Sequence, residues 1–162
     1  MDRLDEQAKC VIETLGRKGL TVATAESCTG GLIAKTLTDI AGSSAVFFGA
    51  CVTYANAVKE RLLGVSPATI AEYTEVSHAC AGEMAEGVRR ALATDIGIST
   101  TGYAGPGGGT PNDPVGTVYI GYSTAEGTAT ERFCAPAGSD RIGVREAVTK
   151  RVLDLLLQLG GS

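Results

Sequence analysis

The spacing of hydrophobic residues along the first third of the chain changes repeatedly between helical and strand-like periods. Apolar side chains at helical spacing occupy positions 4–15, and glycines follow at the end of that segment. The short apolar run 20–24 predicts a buried strand. Helical spacing returns at 32–37, and the β-forming residues of 46–54 predict a second strand. This part of the chain therefore predicts the order helix, strand, helix, strand.

The rest of the chain begins with helical segments and then changes to strands. Asn56 is the expected N-cap of a helix that Gly64 ends, and Pro67 suits the first turn of a further helical segment. Ser77 is the expected cap of a longer amphipathic helix. The predicted elements are helices at 56–64 and 77–92, strands at 96–101, 115–124 and 128–135, and a final helix after Ser139.

The order of these elements predicts the fold class. Alternation of helices and strands at the start favours parallel pairing, whereas the short turn between the last two strands indicates an antiparallel hairpin. The sum is α-β-α-β-α-α-β-β-β-α. We therefore expect an α/β fold, a three-layer α/β/α sandwich with a mixed parallel and antiparallel sheet, in a single domain at 1–162.

Charge and hydropathy limit the partners of the chain. Asp and Glu exceed Lys and Arg by 18 to 14, a net charge of −4, whereas nucleic-acid binders usually carry a basic excess. No apolar run approaches the roughly 20 residues of a membrane span, and the first residues show no signal-peptide pattern. We expect a cytoplasmic homo-oligomer that binds a small molecule, with neither nucleic acid nor a membrane as partner.

Cysteine and histidine usage argues against a metal site and against a disulfide framework. The five cysteines show no CxxC spacing, and His78, the single histidine, is expected at the surface or at a helix cap. The cysteines are expected to be reduced and to pack as small apolar residues. We predict no metal and no cofactor.

Glycine is abundant, with 22 residues, and two glycine-containing segments are candidate ligand sites. Excess glycine suggests tight turns and close approach of backbone to a ligand. The segment 102–114 is long for a loop in a compact domain, which favours a functional role. Neither this segment nor 31–36 fits the glycine spacing of a dinucleotide or Walker site.

The other candidate is the strand-to-helix turn that contains Ser27. Backbone N–H groups and the following helix dipole face ligands at such turns. Ser27 is therefore a candidate nucleophile, and the backbone at Thr29, Gly30 and Gly31 is a candidate oxyanion hole. The alternative is a capped helix with small residues for packing.

A serine nucleophile needs a base, and Lys59 with Tyr54 is the candidate pair. Tyr54 ends the second predicted strand, and Lys59 lies in the first turns of the following helix. The ordinary lysine pKa of about 10.4 would have to fall by roughly 3 for a base at neutral pH, to which burial and a phenol hydrogen bond would contribute. The alternative is a solvated helix lysine.

Seven segments match a known family in order and cover nearly the whole chain. They are TAESCTGG at 24–31, GSS at 42–44, VTYAN at 52–56 with Lys59, LGV at 63–65, VS at 76–77, GYAGP at 102–106 and PVGTV at 114–118. Together they resemble the CinA C-terminal domain family, the nicotinamide-nucleotide amidase domain, in its stand-alone form. The resemblance implies an α/β/α fold and hydrolysis of the carboxamide of nicotinamide mononucleotide (NMN) to nicotinate mononucleotide and ammonia, in pyridine-nucleotide salvage.

The resemblance also implies roles for the candidate residues. Ser27 would attack the carboxamide while Lys59 with Tyr54 moves the proton, and Thr101 and Gly105 would contact the substrate. Without a metal the nucleophile must be a side chain, so EDTA should leave hydrolysis unchanged. A mononucleotide also needs a phosphate site, and the candidates are Gly107, Gly108, Thr110, Arg141 and Arg145.

Three alternatives stay open at this point. The chain could be a non-catalytic nucleotide-binding, competence-associated module that keeps the site without the chemistry. Cys28 could be the nucleophile, although a thiol needs a lowered pKa. Glu26 could orient a water or Lys59, or lie at the surface.

Overall fold

A five-stranded sheet lies between helices in the computed structural model, which describes residues 3–161. A short 3-10 turn at Ser43–Ala45 precedes the second strand. The strands are β1 (Val22–Glu26), β2 (Phe47–Val52), β3 (Ile96–Gly102), β4 (Thr117–Thr124) and β5 (Gly127–Cys134). The helices are α1 (Arg3–Arg17), α2 (Leu32–Thr38), α3 (Asn56–Leu63), α4 (Pro67–Tyr73), α5 (His78–Leu92) and α6 (Arg141–Gly161).

The sheet is mixed, as predicted. Its strand order is β2-β1-β3-β4-β5. β1 pairs in parallel with both β2 and β3, while β3–β4 and β4–β5 are antiparallel. The carboxyl ends of β1, β2 and β3 therefore lie side by side at one edge of the sheet.

Two helical layers cover the sheet and confirm the α/β/α architecture. Apolar residues of α1, α2 and α6 pack on one face against side chains such as Val22 and Ile98. α3 and α5 pack on the other face against Ala23 and Ala25, which alternate with Val22 along β1. β1 is buried at every position because it receives both layers.

The segment between β2 and β3 differs from its prediction. It contains three helices where the predicted order counts two, because the turn that begins at Pro67 extends to a seven-residue helix, α4. Asn56 is the first residue of α3, and Ala55 takes the N-cap position without a side-chain bond. The predicted cap Ser77 is confirmed, since its hydroxyl accepts a hydrogen bond from the amide of Cys80 at 3.1 Å.

Some glycines serve packing instead of turns or ligand contacts. A Cβ at Gly87, on α5, would lie 2.0 Å from the carbonyl oxygen of Leu63, and one at Gly97, on β3, would lie 2.3 Å from that of Ala85. These glycines let α5 approach α3 and the sheet closely. Within residues 3–161, no helix combines the length and apolarity that a membrane crossing requires.

Candidate active site

The residues that follow the three parallel strands surround a cavity of about 220 Å³. Ser27 comes after β1, Tyr54 after β2 and Tyr103 after β3. Ligands of α/β proteins commonly bind at this edge of the sheet. A larger, more open depression near Arg89 lies at the opposite edge, far from these groups.

Ser27 and Lys59, 32 positions apart in the chain, meet at the cavity. The Nζ atom of Lys59 lies 2.9 Å from Oγ of Ser27. The amide of Ser27 donates to the carbonyl of Thr100 at 3.0 Å, which fixes the turn against β3. The serine is only 8% exposed and faces the cavity. The predicted nucleophile and base therefore lie within proton-transfer distance of each other.

Lys59 is fully buried, so the solvated alternative does not apply. Its Nζ also donates to the carbonyls of Thr53 at 2.8 Å and Tyr54 at 3.2 Å. Burial lowers the pKa of the Lys59 amine below 10.5, because a low-dielectric environment disfavours the charged form. The negative field of nearby acidic groups, Glu75 among them, opposes this effect. The amine is thereby shifted toward the neutral form that a general base needs.

Tyr54 contacts Lys59 through its backbone and not through its phenol. Its side chain is 62% exposed, and its hydroxyl accepts a hydrogen bond from Nη2 of Arg141 at 2.9 Å. The expected phenol hydrogen bond to the lysine amine is therefore wrong. The phenol lies instead on the cavity wall beside Arg141.

The turn at Thr29–Gly31 uses its polar groups within the protein, with the Thr29 side chain buried and Gly30 exposed. The amide of Gly30 donates to the carbonyl of Ser27 at 3.1 Å, and that of Gly31 donates to Glu26 at 3.2 Å. The hydroxyl of Thr29 bonds Glu26 at 2.7 Å and Thr100 at 2.8 Å. Because these groups already have partners, the structure does not offer the hydroxyl of Thr29 or the amides of Gly30 and Gly31 as oxyanion donors.

Glu26 explains why this turn is so rigid. Its carboxylate is fully buried, so the surface alternative is wrong. Besides Thr29 and Gly31 it accepts hydrogen bonds from the amides of Ile33 at 3.0 Å and Ala34 at 2.9 Å. The carboxylate thus satisfies the first N–H groups of α2, which would otherwise lack acceptors. It makes no contact with Lys59 that would orient the amine.

The glycine-rich segment contributes its first half to the cavity. Gly105 and Gly107 line it together with Thr101 at the end of β3; Thr101 and Gly105 are the predicted substrate contacts and Gly107 a predicted phosphate contact. The hydroxyl of Thr101 is already bonded to the carbonyl of Glu75 at 2.7 Å, so Thr101 braces the opposite wall. Thr110 is not at the cavity, because it closes a turn through hydrogen bonds with Asp113.

Gly108, the other predicted phosphate contact in this segment, also lies off the cavity. A Cβ there would meet the ring of Tyr103 at 3.3 Å. The backbone that the structure brings to the cavity therefore ends near Gly107.

The two candidate phosphate arginines differ in position. Arg141, the first residue of α6, lines the cavity, and its Nη1 donates to the carbonyl of Gly105 at 2.6 Å. Arg145 donates through Nε and Nη2 to the carbonyl of Thr29, at 3.1 and 2.8 Å. Arg145 therefore holds the nucleophile turn onto α6, and only Arg141 is placed to meet a ligand.

Cys28 faces the cavity but is a poor nucleophile. Burial raises the pKa of its thiol to about 12, so the thiolate is scarce at neutral pH. The five cysteines are free thiols, and Cys10 and Cys134 are exposed, so these two do not pack as the small apolar residues expected. His78 lies in the first turn of α5 with Nδ1 at 2.8 Å from the hydroxyl of Thr130. Across residues 3–161 no group of three or more His, Cys, Asp or Glu side chains is arranged to hold a metal ion.

A further charged residue at the cavity, Glu75, was not predicted. It lies in the connection between α4 and α5, directly before the VS segment at 76–77 but outside it. Only the packing of this connection against the end of β3 brings it to the site, so periodicity carries no signal for it.

Comparison with known proteins agrees with this geometry. A family model of the CinA C-terminal domain matches residues 4–159. The CinA-like protein of Myxococcus xanthus is 51% identical over 151 residues, covering 93% of this chain and 36% of the relative. That of Geobacter sulfurreducens is 51% identical over 132 residues, covering 82% and 32%. The chain thus spans about a third of the length of the curated relatives it matches.

Solved structures show the same fold. The competence/damage inducible protein CihA from Agrobacterium tumefaciens superposes with a TM-score of 0.93 at 38% identity, covering 98% of this chain and 96% of that one. A CinA superfamily protein from Klebsiella pneumoniae superposes with a TM-score of 0.93 at 31% identity, covering 99% of each. A match over almost every residue, in sequence and in structure, means that this chain belongs to the CinA C-terminal domain family.

Proposed function

We propose that this chain is an amide hydrolase that converts NMN to nicotinate mononucleotide and ammonia. The observation that carries the proposal is the 2.9 Å contact between Oγ of Ser27 and Nζ of the fully buried Lys59, beside a cavity. A hydroxyl with an adjacent amine of lowered pKa is the arrangement of an activated serine nucleophile.

The first half of the reaction forms an ester. Neutral Lys59 takes the proton of Ser27 as Oγ attacks the carboxamide carbon and gives a tetrahedral oxyanion. The lysine ammonium then passes that proton to the departing nitrogen, and ammonia leaves as the C–N bond breaks. The carbonyls of Thr53 and Tyr54 keep the amine in place throughout.

The second half of the reaction releases the acid. Lys59 takes a proton from water, the resulting hydroxide adds to the ester, and the C–O bond to Ser27 breaks with return of the proton to Oγ. The oxyanion needs donors other than the amides of Gly30 and Gly31, which are occupied. Backbone N–H groups at the cavity, at Cys28 and at Ala104–Gly105, are our candidates.

Arg141 is the proposed phosphate ligand. It presents a planar fork with N–H groups beyond those used by Gly105 and Tyr54. We expect Arg141→Met to raise KM for NMN strongly while leaving KM for nicotinamide riboside nearly unchanged. Equal effects on both substrates would contradict the assignment.

Ammonia release from NMN tests the proposal directly. Wild type should release ammonia, and Ser27→Ala should lower kcat by at least about 10³-fold, since it removes the nucleophile. Ser43→Ala is a matched control, because Ser43 is a similarly buried serine, 9% exposed, in the 3-10 turn. Wild-type turnover in Ser27→Ala would refute the mechanism. Saturable NMN binding by wild type without ammonia release would favour the non-catalytic module instead.

A further inference from the structure

The cavity has walls of opposite charge that come from different helical layers. Arg141 belongs to α6, on the face of the sheet covered by α1, α2 and α6. Glu75 precedes α5, which covers the other face. A ligand that fills the cavity therefore lies between a guanidinium and a carboxylate.

Glu75 is held on a fixed backbone. Thr74 adopts φ 67° and ψ 172°, a conformation that is strained for a residue other than glycine. Its carbonyl accepts the hydroxyl of Ser77 at 3.0 Å, and the carbonyl of Glu75 accepts that of Thr101 at 2.7 Å. The next residue, Val76, is buried and also lines the cavity. Such strain persists only where the surroundings over-determine the backbone, so the position of Glu75 is fixed by its neighbours.

The carboxylate of Glu75 is unpartnered within the part of the chain that the structure describes. Among residues 3–161 it makes neither a hydrogen bond nor an ion pair, although its carbonyl is bonded. The carboxylates of Glu26 and Glu83, by contrast, each accept hydrogen bonds from amides and hydroxyls. An unpartnered carboxylate on a cavity wall is available to a cationic ligand.

Two neighbours of Glu75 indicate which cation would fit. Its backbone is bonded to Thr101 at the end of β3, and its charge acts on Lys59. The ring of Tyr103 lines the same wall and packs against Val76. A carboxylate next to an aromatic ring favours a flat, positively charged group.

We propose that Glu75 is a specificity-determining residue that selects substrates whose amide is carried on a positively charged aromatic ring. The inference rests on the proposed function, since the ring of NMN is a pyridinium that carries the carboxamide. Ser27 holds the reacting carbon at one side of that ring, Glu75 meets its positive charge, and Arg141 meets the phosphate at the other end.

Binding to Ser27→Ala separates charge recognition from catalysis. The probes are NMN and its dihydronicotinamide form, which has the same phosphate, ribose and carboxamide but a neutral ring. Calorimetry should show NMN binding at least about tenfold more tightly than the neutral form. Glu75→Gln, in the same background, should weaken NMN about tenfold or more and change the neutral form less than twofold. Glu72→Gln, which removes the same charge from exposed α4, should change neither.

The outcomes distinguish this inference from the proposed function. Equal weakening of both probes by Glu75→Gln, or no weakening of either, overturns the role of Glu75. If wild type releases ammonia from NMN with an unchanged KM in Glu75→Gln, the amidase proposal survives and the inference fails. If the charge-dependent binding is found but wild type releases no ammonia, the inference holds and the amidase proposal fails.

Discussion

Replacing Glu26 by glutamine should destabilise the fold by about 3 kcal/mol. Oε2 of Glu26 accepts the amide of Ala34 at 2.9 Å, and Oε1 accepts those of Gly31 and Ile33 at 3.2 and 3.0 Å. A glutamine oxygen can replace Oε1, but its NH₂ group then faces the N–H of Ala34. One buried donor without an acceptor costs about 1–3 kcal/mol, and the two amide bonds to Oε1 lose a charged acceptor, roughly 0.5–1 kcal/mol each.

Urea unfolding followed by circular dichroism measures this loss, provided that the slope with urea stays constant. A loss of about 3 kcal/mol is large against the 5–15 kcal/mol free energy of unfolding of a typical domain. The variant should therefore fold but unfold at a much lower urea concentration. Glu13→Gln is the control, because it only breaks an exposed pair with Lys9 at 3.9 Å and should cost less than about 0.5 kcal/mol. A loss below about 1 kcal/mol in Glu26→Gln would mean that the carboxylate does not hold α2 as described.

Two further predictions concern Lys59 and the end of α5. Because the pKa of Lys59 is lowered, the unfolded chain binds this proton more tightly, and this term makes the free energy of unfolding rise with pH up to about 10.5. The buried thiols of Cys28 and Cys80, whose pKa values burial raises, contribute the opposite slope above about pH 8.5 in wild type and variant alike. Urea unfolding across pH 7–10 should therefore give a more positive slope of unfolding free energy with pH in wild type than in Lys59→Met. An equal slope in both would contradict the burial argument. Ala93 caps α5 with φ 52° and ψ 50°, a left-handed conformation that glycine adopts more easily than alanine. In thermal melts Ala93→Gly should therefore stabilise the protein by about 0.5 kcal/mol. The control Ala91→Gly, at an exposed position inside the helix, should destabilise it by about 1 kcal/mol. A lower melting temperature for Ala93→Gly would refute this account.

The order of elements could be predicted because the patterns that encode it are local. Apolar periodicity, a proline at a first helical turn and the Ser77 cap each depend on a few neighbouring residues. The mixed sheet could be predicted from the alternation of helices and strands and from the short turn of the last hairpin. The strand order and the length of α4 were not predictable in this way, because both depend on packing between distant segments.

The site residues show the same difference between what local patterns predict and what distant packing decides. Ser27 and Lys59 were predicted because they lie just after strand ends, and parallel strand ends converge. Arg141 and Arg145 are one turn apart on α6, so spacing could not tell that only Arg141 lines the cavity. Glu26 was harder still, since the amides that it binds lie five, seven and eight positions further along the chain and no motif marks that pairing.

The hydrogen bonds of Arg141 have a consequence for the entropy of binding. Both terminal nitrogens are held in the free protein, by the carbonyl of Gly105 and the hydroxyl of Tyr54. An unrestrained arginine loses up to about 2 kcal/mol of rotamer entropy when a ligand orders it. Here that ordering takes place when the chain folds, and three of the five guanidinium N–H groups are left for an anion. The rigid tether therefore makes the fork a pre-organised receptor, whose affinity for phosphate should depend more on desolvation than on side-chain ordering.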